Sequence, residues 1–322
     1  MNNHFSKKLI CCLFIITSSI SARYLTYEGG GRLGDNLLAY SRAKYFALRH
    51  GFEVLYREFP FSDQLELHRL EKNAKSITKN YKTIKVSAER DLYNAAKNSN
   101  DIFEIPYFSE AGHERRLPWN KNWIHMDINW NDKEFKKILR QVIKPIHNLN
   151  LIVPPSNCFS IAIHLRRGGN YDGKMMSETD PTSNEKAFSD INVPMKFPPR
   201  TFYIDALETL LNLIPHENIY VFLFTDDLNP KALYEEFKEK FKKYNKNILF
   251  EARINEPNNE TLNVLEDLFS MLNFNALIRP ESSYSLIVSH LGDFKYEAYP
   301  IAQHWEGYKS CIDKIGITVK NN

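Results

Sequence analysis

Short apolar strands alternate with helix-length segments along most of the chain, and this alternation most limits the folds available to it. The pattern is clearest in the second half. There, predicted strands at 159–165, 219–224, 248–251 and 275–279 are separated by predicted helices at 201–213, 231–244 and 261–273, and a last helix begins near Ser283. Helices of this length between strands imply a parallel sheet covered on both faces. Ligands of such sheets bind at the carboxyl ends of the strands.

The first half opens in the same way. A strand at 23–27, a glycine loop and a helix at 35–49 ended by Gly51 lead into a strand at 52–56. The region 61–131 shows no clear period and is predicted to hold short helices and loops. A helix at 132–144 ends at Pro145, and the proline-containing segment 151–157 is predicted to be a linker. These features predict an α/β protein of two Rossmann-like domains, 23–150 and 151–322, which face a cleft.

Charge and the amino terminus bear on partners and location. The net charge is only +3, which gives no reason to expect nucleic acid as a partner. Lys7 and Lys8 precede a short apolar run that ends in small residues at Ala22. This pattern is typical of a cleavable signal peptide at 1–22 and therefore of export. If the segment were retained, it would be the chain's one means of membrane association.

A pair of arginines follows the buried strand of the second half, in the segment His164-Leu165-Arg166-Arg167-Gly168. Arginines at a strand end can form bidentate bonds to phosphate, and glycine allows close approach of the backbone. The alternative is that the pair closes a salt bridge at the strand end. His164 can equally be a core residue that holds the strand end.

Two further segments lie at strand ends of the same half. Asp226 can orient arginines or bind hydroxyl groups, whereas Asp227 is predicted to be the N-cap of a helix that begins near Pro230. Ser282 and Ser283 begin the last helix, where free backbone N–H groups form an anion site. Ordinary helix capping is the alternative for these two serines.

The glycine loop from Gly29 to Gly34 satisfies the pattern G-x-G-x-x-G between a strand and a helix. Glu58, at the end of the next strand, stands near the position of a ribose-binding acid. This is the context of a dinucleotide site, so an oxidoreductase of the NAD type is an alternative function. That alternative leaves Arg166 and Arg167 without a role.

Four sequence blocks together resemble the fucosyltransferase superfamily, and they are most similar to the α-1,2-fucosyltransferase family. In chain order, the blocks are 31–36, 164–168, 224–227 and 267–271, the last followed by 282–285. The resemblance implies a GT-B-like fold and an inverting transfer of fucose from GDP-fucose to a glycan hydroxyl. It also implies that the enzyme uses neither a metal nor another cofactor.

The resemblance also assigns roles to individual residues. Arg166 and Arg167 become diphosphate contacts, and Asp226 lies in the nucleotide pocket. The remaining donor-binding residues are expected around the phosphate end and the adjoining loops: Gly31, Gly34, His164, Gly168, Ser282, Ser283 and Tyr284.

The chain departs from the family pattern at three sites. Gly169 replaces the expected aspartate after Arg-Arg-Gly, Asp35 replaces a loop asparagine, and Leu286-Ile287 replaces a tryptophan pair. Asp172 is therefore the candidate for the catalytic base beside Arg166. Gly169 also leaves open a catalytically silent, sugar-binding relative as a second alternative.

Overall fold

The computed structural model describes residues 23–77, 81–86, 88–95, 101–107, 126, 128–167, 196–257, 259, 261–306 and 309–320. The predicted signal peptide 1–22 and the site residues Gly168 and Asp172 lie outside these ranges. The predictions made for them therefore remain predictions. In the described ranges, no helix combines the length and the apolar character needed to cross a bilayer.

The first half folds around a parallel sheet of five strands in the order β3-β2-β1-β5-β4. Its strands are β1 (Tyr24–Tyr27), β2 (Glu53–Tyr56), β3 (Lys72–Asn73), β4 (Thr83–Lys85) and β5 (Ile102–Ile105), and its helices are α1 (Leu33–His50), α2 (Leu67–Leu70), α3 (Ala74–Ile77) and α4 (Glu89–Ala95). The last three strands lie in the region predicted to hold short helices and loops. Strands of two to four residues are too short to show a period of two.

After α5 (Lys133–Val142), the second half folds around six strands in the order β11-β10-β9-β6-β7-β8. Its elements are β6 (Phe159–Leu165), α6 (Arg200–Leu213), β7 (Asn218–Thr225), α7 (Pro230–Phe241), β8 (Asn247–Ala252), α8 (Val264–Met271), β9 (Ala276–Ile278), α9 (Ser283–Leu291), β10 (Tyr296–Glu306) and β11 (Lys309–Val319). All pairs are parallel except the β10–β11 hairpin, which was not predicted. The α/β fold with two Rossmann-like sheets is confirmed.

The apolar core is shared between the two halves. Every residue of β6 is buried, and alternate side chains point to opposite faces of the sheet. Ile161 and Ile163 pack with α6 in one cluster, whereas Ala162 belongs to a larger cluster on the other face. That larger cluster includes residues of α1, α9 and both sheets. The two halves therefore have a continuous core across α1 and α9.

Helices α1 and α9 approach each other closely at their first turns. A Cβ atom on Gly34 would lie 2.4 Å from the backbone nitrogen of Tyr284, so only glycine fits at this position. In the first sheet the strand order reverses between β1 and β5, and in the second between β6 and β9. Ligands of α/β sheets bind at such points, outside the carboxyl ends of the strands. The close approach of the two helices brings both reversal points to one cleft.

Helix α5 begins at Asp132, whose carboxylate accepts a hydrogen bond from the backbone N–H of Phe135 at 3.0 Å. We expect Asp132→Ala to lower the free energy of unfolding by about 1 kcal/mol, because an N–H of the first turn loses its acceptor. Asp132→Asn keeps a hydrogen-bond acceptor at this position, so the free energy of unfolding should decrease much less. Urea denaturation of both variants tests this expectation, and equal losses would contradict the capping role.

Candidate functional site

A cleft of about 630 Å³ opens between the carboxyl ends of the two sheets. The first half lines it with the glycine loop, the start of α1 and three residues beyond them, Pro60, Phe61 and Tyr107. The second half lines it with residues from the ends of β6 and β7, the start of α8 and the start of α9: His164, Arg166, Lys196, Phe224, Thr225, Asp226, Asn259, Thr261, Leu262, Val264, Asp267, Glu281, Ser282, Ser283 and Tyr284. Most of the predicted donor-binding residues are therefore brought together.

The arginine pair is divided between two roles. Arg166 lines the cleft, is only 8% exposed, and has its guanidinium 5.6 Å from the centre of the Phe197 ring. Arg167 is not among the lining residues. Its Nε atom lies 3.4 Å from a carboxylate oxygen of Asp227. Arg166 thus fits the phosphate-binding interpretation, while Arg167 fits the salt-bridge alternative.

The two aspartates at the end of β7 support this division. The carboxylate of Asp226 accepts a hydrogen bond from the backbone N–H of Arg167 at 2.6 Å and also lines the cleft. The prediction that Asp227 caps α7 is wrong. Asn229 is the N-cap, and its side chain accepts from the N–H of Ala232 at 3.3 Å, while Asp227 accepts from the N–H of Asn229 at 2.8 Å. The cap lies two residues later because the helix begins at Pro230, which makes Asn229 the residue at the N-cap position.

The start of α9 supplies backbone donors to the cleft. Ser282 is the N-cap of this nine-residue helix, yet its own side chain makes no capping hydrogen bond. The hydroxyl of Ser285 turns inward and donates to the carbonyl of Ser282 at 3.2 Å. The N–H groups of the first turn therefore face the cleft together with the positive end of the helix dipole.

His164 lies between these two anion-binding features. Burial and the adjacent charge of Arg166 lower the pKa of its imidazole to about 3, so the ring is neutral at physiological pH. Its Nδ1 atom has no hydrogen-bond partner among the described residues. The ring lies 5.3 Å from that of Tyr284, whose hydroxyl donates to the carbonyl of Val264 at 2.6 Å. Depending on its tautomer, a neutral imidazole here can either donate one hydrogen bond to a ligand or accept one from it.

Among the lining residues that were not predicted as site residues, Lys196 and Asp267 have strongly shifted pKa values. Burial, and to a smaller extent Arg166, lowers the pKa of Lys196 to about 8. Burial raises the pKa of Asp267 to about 7, although Arg253, 2.9 Å away, acts in the opposite direction. The one signal for Lys196 was the similarity of segment 193–203 to the family, which did not single out the lysine itself. Asp267 lies in one of the family blocks, and that block was the only signal for it.

The glycine loop is arranged differently from a dinucleotide-binding loop. Two of its backbone donors are already used: the N–H of Arg32 donates to Asp35 at 3.0 Å, and the N–H of Gly30 donates to Asn36 at 3.2 Å. Asp35 also places a negative charge where a pyrophosphate would lie. Glu58 is 2.5 Å from the ammonium of Lys75. These contacts argue against the NAD interpretation of the loop.

Aromatic side chains cover the same wall of the cleft. The ring of Tyr107 lies against the glycine loop, 3.1 Å from where a Cβ of Gly30 would be. Phe61 has a φ of 69°, a strained conformation for a bulky residue. Such strain is commonly found where a side chain is held against a ligand. In the described part of the chain, no cluster of three His, Cys, Asp or Glu residues has the arrangement of a metal site.

The chain was compared with known families, sequences and structures. No protein-family profile and no curated protein sequence matches it. Among solved structures it is similar to FUT1 from Arabidopsis thaliana, a mutant in complex with GDP, at 13% identity and a TM-score of 0.52 over 86% of this chain and 70% of that one. It is also similar to the fucosyltransferase NodZ from Bradyrhizobium, at 13% identity and a TM-score of 0.44 over 92% and 99% of the two chains. The similarity to FUT1 confirms the predicted GT-B-like fold.

Proposed function

We propose that this protein is a glycosyltransferase of the fucosyltransferase type. It transfers fucose from GDP-fucose to a hydroxyl group of a glycan, with inversion at the transferred carbon and without a metal ion. One observation carries the proposal. The buried guanidinium of Arg166 and the first turn of α9, which the Ser282 side chain does not cap, line the same cleft at the strand-order reversal of the second sheet. The family resemblance and the fold shared with a GDP-bound FUT1 variant support it.

The chemistry of the donor explains why these two features belong together. The bond between the sugar and the diphosphate breaks through an oxocarbenium-like state, in which the leaving group gains negative charge. Donors that are fixed before the reaction stabilise that charge without reorganisation. Arg166 supplies charge-assisted bonds, and the N–H groups of Ser283 and Tyr284 supply neutral ones. Together they can stabilise a leaving diphosphate without a metal ion.

The other end of the cleft suits the base of the nucleotide. The Asp267 carboxylate lines the cleft, and its side chain is only 15% exposed. Guanine presents an N–H and an amino group side by side, which a carboxylate accepts as a bidentate pair. Arg167 does not line the cleft, but its backbone N–H holds Asp226, which does. The roles of Gly168 and Asp172 remain predictions.

The pH dependence of GDP binding tests the contact with Asp267. If the carboxylate form accepts from guanine, protonation below its pKa of about 7 weakens binding. We expect the Kd for GDP to be about tenfold higher at pH 6 than at pH 8, because only the ionised fraction binds. Calorimetry measures this ratio. Asp267→Asn should bind weakly at both pH values, and an unchanged pH dependence in this variant would contradict the assignment.

Thermal denaturation with three ligands separates the proposed function from its alternatives. We expect GDP and GDP-fucose to raise the Tm and NAD to leave it unchanged, since saturation at about 100 times Kd adds about 2.7 kcal/mol. Stabilisation by NAD but not by GDP would establish the oxidoreductase alternative. Binding of GDP-fucose without any release of GDP would establish the silent relative. The export predicted from residues 1–22 is a separate proposal, which N-terminal sequencing of the mature protein tests.

A further inference from the structure

Asp35 stands apart from the other carboxylates of the cleft. It lies in the first turn of α1, is half-buried and lines the cleft. Its Oδ2 atom accepts the hydrogen bond from the N–H of Arg32, whereas the described residues give its Oδ1 atom no hydrogen-bond partner. Its charge acts on both Arg166 and Lys196 across the cleft, where it raises the pKa of each against the effect of burial. One oxygen thus holds the side chain in place, and the other is available to a ligand.

The stereochemistry of the proposed transfer decides which wall must supply a base. In an inverting transfer, the attacking hydroxyl and the leaving diphosphate lie on opposite faces of the sugar. The groups proposed to hold the diphosphate, Arg166 and the first turn of α9, both belong to the second half. The attacking hydroxyl, and the group that takes its proton, must therefore lie toward the wall formed by the first half.

On that wall, Asp35 is the only carboxylate among the described residues that line the cleft. The other three lining carboxylates, Asp226, Asp267 and Glu281, all lie on the opposite wall. Two of them already have other roles: Asp226 accepts from the backbone of Arg167, and Asp267 pairs with Arg253 and is proposed to bind the guanine base. Geometry thus favours the aspartate that replaces the family's loop asparagine.

The same wall offers a surface for the acceptor. Tyr107 packs on the glycine loop, and Phe61 is held in its strained conformation at the edge of the cleft. Aromatic rings present an apolar face to the C–H groups of a sugar while the hydroxyls stay free for hydrogen bonds. An acceptor sugar against these rings has a hydroxyl near the start of α1, which is where Asp35 lies.

We propose that Asp35 is the general base of the transfer, an inference that rests on the proposed function. Its Oδ1 accepts the proton of the acceptor hydroxyl while the oxygen of that hydroxyl forms a bond to the anomeric carbon of fucose. The bond between this carbon and the β-phosphate oxygen breaks, and its electron pair leaves with GDP. The products are the fucosylated glycan, GDP and a protonated Asp35. Water can replace the glycan in the same step, which gives free fucose.

Hydrolysis of GDP-fucose therefore tests the base without a known acceptor. We expect Asp35→Asn to lower kcat for GDP release on the order of 100-fold or more. The Kd for GDP should stay unchanged or decrease, because a negative charge near the diphosphate is lost. A second experiment measures GDP release from GDP-fucose in the presence of sodium azide, and it distinguishes loss of the base from loss of structure. The azide anion carries no proton to remove, so azide-dependent GDP release should persist in Asp35→Asn at a rate close to that of the wild type.

Two variants serve as comparisons. Asp132→Asn makes the same chemical change at another helix start, outside the cleft, and should keep full hydrolysis. Asp172→Asn tests the base predicted from the sequence. Equal loss of hydrolysis and azide reaction in Asp35→Asn would show a structural role and overturn the inference. So would full activity of Asp35→Asn beside loss in Asp172→Asn. A wild-type protein that neither binds GDP nor releases it from GDP-fucose would instead overturn the proposed function.

Discussion

Replacing Arg166 by alanine is expected to weaken GDP binding by a factor of at least about 100. A hydrogen bond to a charged group contributes about 1.5–3 kcal/mol, and a guanidinium can make two such bonds to a diphosphate. About 3 kcal/mol is already more than a factor of 100 in Kd. Turnover of GDP-fucose should decrease further, because the charge that Arg166 stabilises grows in the transition state. Calorimetry with GDP and a GDP-release assay measure the two effects.

Two companion variants separate binding from folding. Arg166→Lys keeps the charge but loses the bidentate geometry, so it should recover only part of the affinity. Arg200→Ala removes an arginine of the same half that pairs with Glu236 at 2.6 Å, away from the cleft. It should bind GDP like the wild type. GDP affinity unchanged in Arg166→Ala would refute the proposed diphosphate site, provided that the variant unfolds at the wild-type urea concentration.

The second large effect is expected at Gly34. Glycine inside a helix ordinarily costs up to about 1 kcal/mol relative to alanine, so Gly→Ala would normally stabilise α1. At position 34, Gly→Ala is instead expected to destabilise the protein. The new Cβ would lie 2.4 Å from the backbone nitrogen of Tyr284 and 2.6 Å from the carbonyl carbon of Ser283. Backbone atoms cannot rotate away, so α1 and α9 must separate. We expect a loss of about 1–3 kcal/mol in the free energy of unfolding.

Separation of these helices also moves the two walls of the cleft apart. Gly34→Ala should therefore weaken GDP binding as well as stability, although position 34 provides no side chain to the ligand. Gly29→Ala is the matched control, because its Cβ would meet only the side-chain amide oxygen of Asn36, which can shift. Urea denaturation and GDP titration of both variants measure the effects. Equal stability of the two variants would contradict the importance of this helix contact.

The success of the sequence-based predictions followed the length and burial of each element. The seven residues of β6 are all buried, and the strand was predicted with its exact bounds. Helix α1 was placed within two residues, because Gly51 ends it in a left-handed conformation with a φ of 69°. Strands β3 to β5 were missed because they have only two to four residues each, in a region without a clear period. Such short strands are determined by tertiary contacts that no local pattern records.

Candidate site residues were predictable where a strand ended in an uncommon pair of side chains. Arg166 and Asp226 were found in this way, but the pattern could not show that Arg167 turns toward Asp227 instead of the cleft. Phe61 belongs to no motif, and the similarity of segment 193–203 to the family did not single out Lys196. Asp35 was noted only as a departure from the family pattern. Its position across the cleft from Arg166 depends on how the two halves pack, which no local sequence pattern records.

The apolar cluster that joins both sheets through α1 and α9 limits how modular this protein can be. In an assembly of independent domains, a half that binds one substrate can be exchanged for that of a relative while the other half is kept. Here, an exchanged first half would have to carry an α1 surface complementary to the existing α9, down to the glycine at position 34. If the protein acts as proposed, engineering of acceptor specificity by chimeras therefore has to transplant α9 together with the first half, or else be limited to single positions such as Phe61 and Tyr107.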